Sequence, residues 1–155
     1  MKKLKNSELN RIDISTFKSI KKTPLIIILD DIRSLNNIGS IFRTCDAFRI
    51  EKIYLCGITA KPPNRKITKT AIGATESVDW EYYEKIDDLI SKLKSSSVKL
   101  WAIEQAEGSK SLSDLSIENP VIKHALIFGN EINGVNQNIV NNCHEVLEIN
   151  QYGTK

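Results

Sequence analysis

The sequence predicts an α/β domain with a mostly parallel sheet and helices on both faces. Three observations carry this reading. Apolar runs of strand length recur along the 155 residues. Segments with apolar residues at helical spacing separate them. The lengths between runs suit crossover connections of parallel strands rather than hairpins. No internal repeat or low-complexity tract interrupts the pattern.

Residues 1–23 are polar and lysine-rich and read as a basic arm or short helix ahead of a domain spanning 24–155. Pro24 opens the first strand, where its missing N–H is tolerated, and Leu25 to Leu29 is the apolar run of a buried strand. Leu35-Asn36-Asn37 breaks that run, because asparagine favours turns and helix caps. Asn37 is the expected cap of the helix that follows. Ile38, Ile41, Phe42 and Cys45 then fall at i, i+3, i+4 and i+7, a single core-facing stripe. Arg43 falls off that stripe, on the side of Asn36 and Ser40. Open α/β sheets bind ligands at such strand-to-helix corners.

Lys52 to Cys56 reads as a second strand, stopped by Gly57. Pro62-Pro63 keeps residues 58–66 an extended loop. A short helix over Ile67 to Ile72 ends at Gly73, and Ser77 to Tyr82 is expected as a third strand. Ile86, Leu89, Ile90 and Leu93 mark another helix. Val98 to Ile103 is the fourth strand, followed by a polar loop from Glu104 to Leu115. Ala125 to Phe128 is the fifth, turning through Gly129-Asn130-Glu131-Ile132-Asn133-Gly134 into a short helix near Asn136 to Asn141. Glu145 to Ile149 is the sixth.

With 41% hydrophobic and 26% charged residues, the chain has the makeup of a soluble globular domain. No apolar run approaches the ~20 residues of a membrane span. Lys2, Lys3 and Lys5 are not followed by the apolar segment of an export signal, so the expected location is the cytoplasm, with no membrane partner. Cys45, Cys56 and Cys143 form no CxxC or Cys/His cluster and read as buried free thiols; no metal is expected. His124 and His144 lack a nucleophile partner and read as structural. Asp30-Asp31 has the look of a phosphoacceptor pair without its other parts and reads as a polar loop start.

The charge is uneven. Residues 1–22 hold Lys2, Lys3, Lys5, Arg11, Lys18, Lys21 and Lys22 against Glu8 and Asp13. Residues 60–70 hold Lys61, Arg65, Lys66 and Lys69 with no acid. Two basic clusters on a nearly neutral domain suit a polyanion. The Gly129–Gly134 turn lacks both the dinucleotide G-x-G-x-x-G spacing and a P-loop lysine. Its glycines permit close backbone approach by a ligand at 129 and positive φ at 134.

Asn37-x-Gly39-x-x-x-Arg43-Thr44 and Phe128-Gly129-Asn130-Glu131-x-x-Gly134 resemble motifs 1 and 2 of the SpoU (TrmH-like) branch of the SPOUT RNA methyltransferases. Lys69-Thr70-Ala71-Ile72-Gly73-Ala74 resembles a segment between them, and Ile149-Asn150-Gln151-Tyr152-Gly153 the start of motif 3. The resemblance runs from about residue 25 to the last residue. It implies a trefoil-knotted α/β fold, a homodimer, S-adenosyl-L-methionine as cofactor, and the ribose 2′-hydroxyl of tRNA or rRNA as acceptor. It places Arg43, Asn37 and Glu131 on the catalytic side. Glu104, Gln105, Gly129, Asn130, Ile149 and Gln151 fall at the cofactor, and Lys61, Arg65 and Lys66 join Arg43 toward RNA.

Asn150 stands where the family usually has proline. The chain stops at Lys155, before the Ser-Leu-Asn and closing helix that complete the knot, the cofactor pocket and the dimer contact. Either the sequence is a portion of a longer chain, or, if the protein itself ends at Lys155, it is expected to bind cofactor poorly. The acceptor alcohol must lose its proton as it attacks. A guanidinium holds its own proton far above neutral pH, and its fork fits phosphate oxygens bidentately. Arg43 is thus read as the group that holds RNA phosphate and ribose. The alternative is a non-catalytic RNA-binding protein on the same fold, distinguished by failure to bind cofactor.

Overall fold

A computed structural model describes residues 1–117, 119 and 121–154. Seven strands form one sheet: β1 (Thr23–Asp30), β2 (Ile50–Cys56), β3 (Trp80–Tyr83), β4 (Lys99–Ile103), β5 (Lys110–Ser111), β6 (His124–Phe128) and β7 (Glu145–Glu148). Their order is β3-β2-β1-β6-β4-β7-β5, and every pairing is parallel. The helices are α1 (Ile14–Ser19), α2 (Leu35–Ala47), α3 (Arg65–Ala71), α4 (Ala74–Ser77), α5 (Ile86–Ser95) and α6 (Gln137–Asn142).

Alternation along the strands divides the core in two. Ile26, Ile28, Tyr54, Leu100, Ala102, Ala125 and Ile127 face α5 and α6, meeting Leu89, Leu93 and Ile139. Ile27, Leu29, Ile53 and Leu55 face α1 to α4, meeting Phe17, Ile38, Phe42, Cys45, Ile67 and Ala74. Phe17 on α1 is buried in this second cluster. Its helix starts at Asp13, whose carboxylate takes the Thr16 N–H at 2.8 Å.

On α2, Ile38, Phe42 and Cys45 are buried as the stripe requires, while Ile41 is only half-buried. Gly39 takes a place in the buried face. A Cβ there would lie 2.0 Å from Thr70 Oγ1 and 2.4 Å from the Ile67 carbonyl oxygen. The backbones of α2 and α3 approach closely because this glycine has no side chain, and the Lys69-Thr70-Ala71 stretch is docked on it.

Three local expectations are corrected. Ser34, not Asn37, caps α2: its Oγ accepts the Asn37 N–H at 3.3 Å, and Asn37 is the third helical residue. The third strand begins at Trp80 because Ala74–Ser77 forms a helical turn entered through Gly73 at φ 86°. The loop after β4 contains β5, a two-residue strand paired with β7. β7 thus lies between β4 and β5, although residues 104–109 join those two strands directly. Among the described residues no helix is long and apolar enough to cross a membrane.

Candidate active site at the carboxyl ends of the strands

β1 ends at Asp30, and Asp31 turns the chain with φ 54°. A non-glycine residue in this left-handed region is uncommon and carries strain. Three bonds hold it. The Asp31 N–H donates to the Cys56 carbonyl at 3.2 Å, Oδ1 accepts the Ile58 N–H at 2.9 Å, and the carbonyl accepts from Asn130 Nδ2 at 2.8 Å. The corner after β1 is therefore tied both to the turn after β2 and to the turn after β6.

The turn after β6 closes on itself. Asn130 Oδ1 accepts the N–H groups of Ile132 (2.9 Å) and Asn133 (3.2 Å). Asn130 and Gly134 exchange backbone bonds of 3.1 and 2.8 Å. The space beside Gly129 is filled by the loop itself: a Cβ would lie 2.2 Å from the Gly134 oxygen. The absence of a side chain at Gly129 thus lets the turn close on itself. Gly134, at φ 66°, would drive a Cβ to 2.0 Å from Glu104 Oε2. Glu104 uses that oxygen to accept the Val135 N–H at 2.8 Å, and Oε1 to accept the Gln105 N–H at 2.9 Å. Its side chain braces β4 against the loop.

Glu131 crosses to α2. Its carboxylate accepts the N–H groups of Arg33 and Ser34, each at 3.0 Å, and Asn37 Nδ2 at 3.3 Å. A negative charge at a helix N-terminus is favoured by the peptide dipoles. Partial burial pushes the Glu131 pKa up, but the bonds from Arg33, Ser34 and Asn37 outweigh it and hold the group below its usual range. An ionised carboxylate engaged by three donors fixes a corner; it is a poor proton acceptor.

Arg43 lies farther along α2, six residues past Asn37 and so about 9 Å along the axis. It is exposed, as are Asn36 and Ser40. Among the described residues no carboxylate pairs with it. Lys61, Arg65 and Lys66 are exposed too, and the Lys61 amine sits 4.1 Å from the Tyr82 ring centroid. Arg65 and Lys66 open α3, with Asn64 as cap. Cations at that helix end run against the dipole preference and leave an electropositive surface. Of the N-terminal lysines, Lys21 and Lys22 lie beside Ala47–Arg49, about one turn past Arg43 and at the opposite end of α2 from Ser34.

β4 lies between β6 and β7, with Ile103 paired to both Phe128 and Leu147. Glu104-Gln105, Gly129-Asn130 and Ile149 accordingly follow three adjacent strand ends. Gln105 is exposed and Ile149 is 50% exposed. Gln151 Nε2 donates to the Ile149 carbonyl at 3.1 Å. Residues 103–106, 128–131 and 147–151 contain carboxylates and amides and no lysine or arginine.

Other ionisable groups are structural. Burial, with Asp31 and Asp87 nearby, raises the Asp30 carboxyl to about 6. Burial pushes the Cys45 and Cys56 thiols to about 12 and Cys143 to about 11, which makes them unreactive. His124 Nδ1 accepts the Trp101 indole N–H at 2.8 Å, and His144 Nδ1 the Leu100 N–H at 3.0 Å. Among the described residues no group of three His, Cys, Asp or Glu could hold a metal ion. An apolar groove of about 380 Å³ runs between α2 and the sheet, lined by Leu25, Ile27, Ile41, Phe48 and Phe128.

Sequence reasoning singled out Asn37 and Glu131, read Asp31 only as part of a polar loop start, and missed Ser34 and the Glu104 side chain. A serine three residues before Asn37 was a readable cap signal. The partners of Asp31 and Glu104 are long-range and leave no local trace.

Residues 24–155 match the model of the SpoU rRNA methylase family. A tRNA (guanosine(18)-2′-O)-methyltransferase of Aquifex aeolicus is 28% identical over 137 residues, which cover 86% of this chain and 61% of that protein. A 23S rRNA (guanosine-2′-O-)-methyltransferase RlmB of Vibrio parahaemolyticus is 24% identical over 148 residues, 95% of this chain and 58% of that protein. The chain thus spans about three fifths of these relatives. Among solved structures, an AdoMet-bound rRNA methyltransferase from Sinorhizobium meliloti matches with TM-score 0.78 at 23% identity, covering 89% of this chain and 52% of that one. The Aquifex aeolicus TrmH/SpoU tRNA modifying enzyme matches with TM-score 0.77 at 21% identity, over 92% of this chain and 72% of that one. These likenesses show the fold.

Proposed function

The chain belongs to the SpoU rRNA methylase family, and from that premise we propose that it is an S-adenosyl-L-methionine-dependent methyltransferase of the ribose 2′-hydroxyl in tRNA or rRNA. The observation that carries the reading is the junction of Glu131 with Arg33, Ser34 and Asn37. It locks the turn after β6 to the helix that bears Arg43, at the strand ends where parallel α/β sheets bind ligands.

The cofactor fits the groups at the ends of β4, β6 and β7. They supply backbone, amides, carboxylates and the exposed Ile149, with no cation to oppose a sulfonium. When bound, S-adenosyl-L-methionine supplies a methyl group that the ribose 2′-oxygen displaces in line. Backbone at Glu104-Gln105, Gly129-Asn130 and Ile149, with Gln151, would hold it. Glu104 shapes that wall by bracing Val135. Arg43, free of carboxylates, holds the RNA phosphate and ribose; Asn37 and Glu131 fix the corner. Lys61, Arg65 and Lys66 extend the anion-binding surface beside it.

The same proposal includes a homodimer in the cytoplasm, a trefoil knot, and a division at residues 23/24 between arm and catalytic domain. The apolar groove at Leu25, Ile41 and Phe128 supports the dimer, and the insertion of β7 between β4 and β5 supports the knot. Calorimetry with S-adenosyl-L-methionine, then transfer of labelled methyl to RNA, tests the reading. Ribose methylation blocks alkaline cleavage at the next phosphate. RNA binding without cofactor binding, in a chain extended through the closing helix of the family, would instead establish a non-catalytic RNA-binding protein.

A further inference from the structure

A second basic concavity lies at the other end of the sheet. It has a volume of about 420 Å³ and is lined by Lys21, Lys22, Thr23, Ala47, Phe48 and Arg49. β1 runs its 8 residues from Thr23 to Asp30, so about 25 Å separates this pocket from the strand ends described above.

Its groups are arranged toward solvent. Phe48 is 67% exposed. Arg49 and Lys21 are exposed and pair with no carboxylate among the described residues. Lys22 is half-buried: its amine donates to the Phe17 carbonyl and lies 3.2 Å from the Phe17 ring centroid. No acid lines the pocket; the acids near Lys22 are Asp79, which is exposed, and Asp46, which is occupied by the Ser77 hydroxyl at 2.5 Å, against the three cations Lys21, Lys22 and Arg49. The carbonyls of Phe48 and Arg49 are already used, accepting Thr23 Oγ1 at 2.8 Å and the Thr23 N–H at 2.9 Å. Cations set the local field.

Arg49 is also held at φ 52°, just past the end of α2. Glycine adopts that conformation far more readily, and helices commonly end on it. An arginine here sits in a backbone state it disfavours, with its guanidinium free. A helix C-terminus welcomes one cation, but Lys21, Lys22 and Arg49 gather at this one, around an exposed aromatic ring. Cations interleaved with an aromatic face are what single-stranded nucleic acid recognises: charge for the backbone, a ring for an unstacked base.

We propose that this pocket is a second RNA-binding site, in which Lys21, Lys22 and Arg49 hold backbone phosphate and Phe48 stacks an unpaired base. It rests on the reading of the protein as one that acts on RNA. The substrate is then held along the C-terminal half of α2, where Arg43 and Arg49 lie six residues, about 9 Å, apart along the helix axis.

The test is binding of a labelled RNA hairpin with a single-stranded tail, measured over a range of salt. Arg49→Gly relieves the backbone and should melt at or above the wild-type temperature, yet weaken RNA binding. Arg49→Gly and Lys21→Ala should each lower the salt slope by about 0.7, the share of one phosphate that is no longer neutralised. Phe48→Ala should weaken binding about 5- to 100-fold, since each stacked base contributes on that scale. Trimming the tail should remove these differences. Wild-type affinity and slope in all three variants would overturn the second site and leave the methyltransferase reading standing. No RNA binding by wild-type protein would overturn both. A change in self-association of Phe48→Ala, with RNA affinity unaltered, would assign the ring to a protein interface and overturn the proposal.

Discussion

The carboxylate of Glu131 accepts the backbone N–H of Ser34 at 3.0 Å, across 97 residues of sequence. Ser34 caps α2 from within, and Glu131 caps it from another loop. The helix start is thereby positioned by the turn after β6 as much as by its own residues.

Glu131→Ala should cost about 1 kcal/mol of stability, the usual scale of a missing helix cap. Glu131→Gln keeps an acceptor but loses the charge and should cost about half that. The folded pKa lies below the ordinary 4.5, so the folded protein binds fewer protons there than the unfolded chain. The gap between wild type and Glu131→Gln should be full above about pH 4.5 and close as pH falls through the folded value. Thermal melts across pH read this directly; a gap independent of pH would mean that ionisation contributes nothing.

Gly134→Ala should cost about 1–3 kcal/mol, because its φ of 66° suits glycine and a Cβ would strike Glu104 Oε2. Part of the cost belongs to the collision. In the double variant with Glu104→Ala the two losses should sum to less than their separate values. Additive losses in denaturant melts would show that Glu104 and Gly134 are not coupled.

Arg43→Ala should change stability by less than about 0.5 kcal/mol, since the side chain is exposed and unpaired. Methyl transfer should fall steeply while cofactor affinity stays. Arg43→Lys keeps the charge but loses the planar fork and should rescue little. Wild-type transfer by either variant, in the methyl-labelling assay, would remove Arg43 from the site.

Asp30 carries a pH dependence of the opposite sign. Its pKa is about 6 in the folded protein and near 3.8 in the unfolded chain. Between those values the folded state binds more protons, so this group lowers stability as pH rises. Asp30→Asn removes that loss. Its advantage over wild type should grow between about pH 4 and 6, to on the order of 2 kcal/mol, and level off above. Comparing the two proteins at each pH cancels the histidines and Glu131. An advantage that does not vary with pH would place the Asp30 titration outside this window.

Much of the fold was legible in sequence, because strands such as Leu25–Leu29 and helices such as Ile86–Leu93 carry their period in local residues. What stayed hidden depends on distant partners. Ser111 and Lys110 have no strand character of their own; pairing with Leu147 and Glu148 makes them a strand. Ile41 fits the apolar stripe of α2, but Gly39 takes the buried place because Thr70 and Ile67 come so near. In the candidate site, Asn37 was legible as important and misread as a cap. Its bond to Glu131 spans 94 residues.

The place of β7 between β4 and β5 sets an order of events in folding. Both neighbours and their connecting residues 104–109 precede β7 in the chain, and β6 lies on the far side of β4 from it. β7 pairs Glu145 with Trp101, 44 residues back, and β6 pairs His124 with Leu25, 99 residues back; such pairings form only after long loops have given up their freedom. Refolding should be slow for so small a domain. Its rate should respond more to changes in the 104–109 connection than to substitutions in the β1–β2 half, where Thr23 to Asp30 meets Ile50 to Cys56 over a smaller separation of about 26 residues.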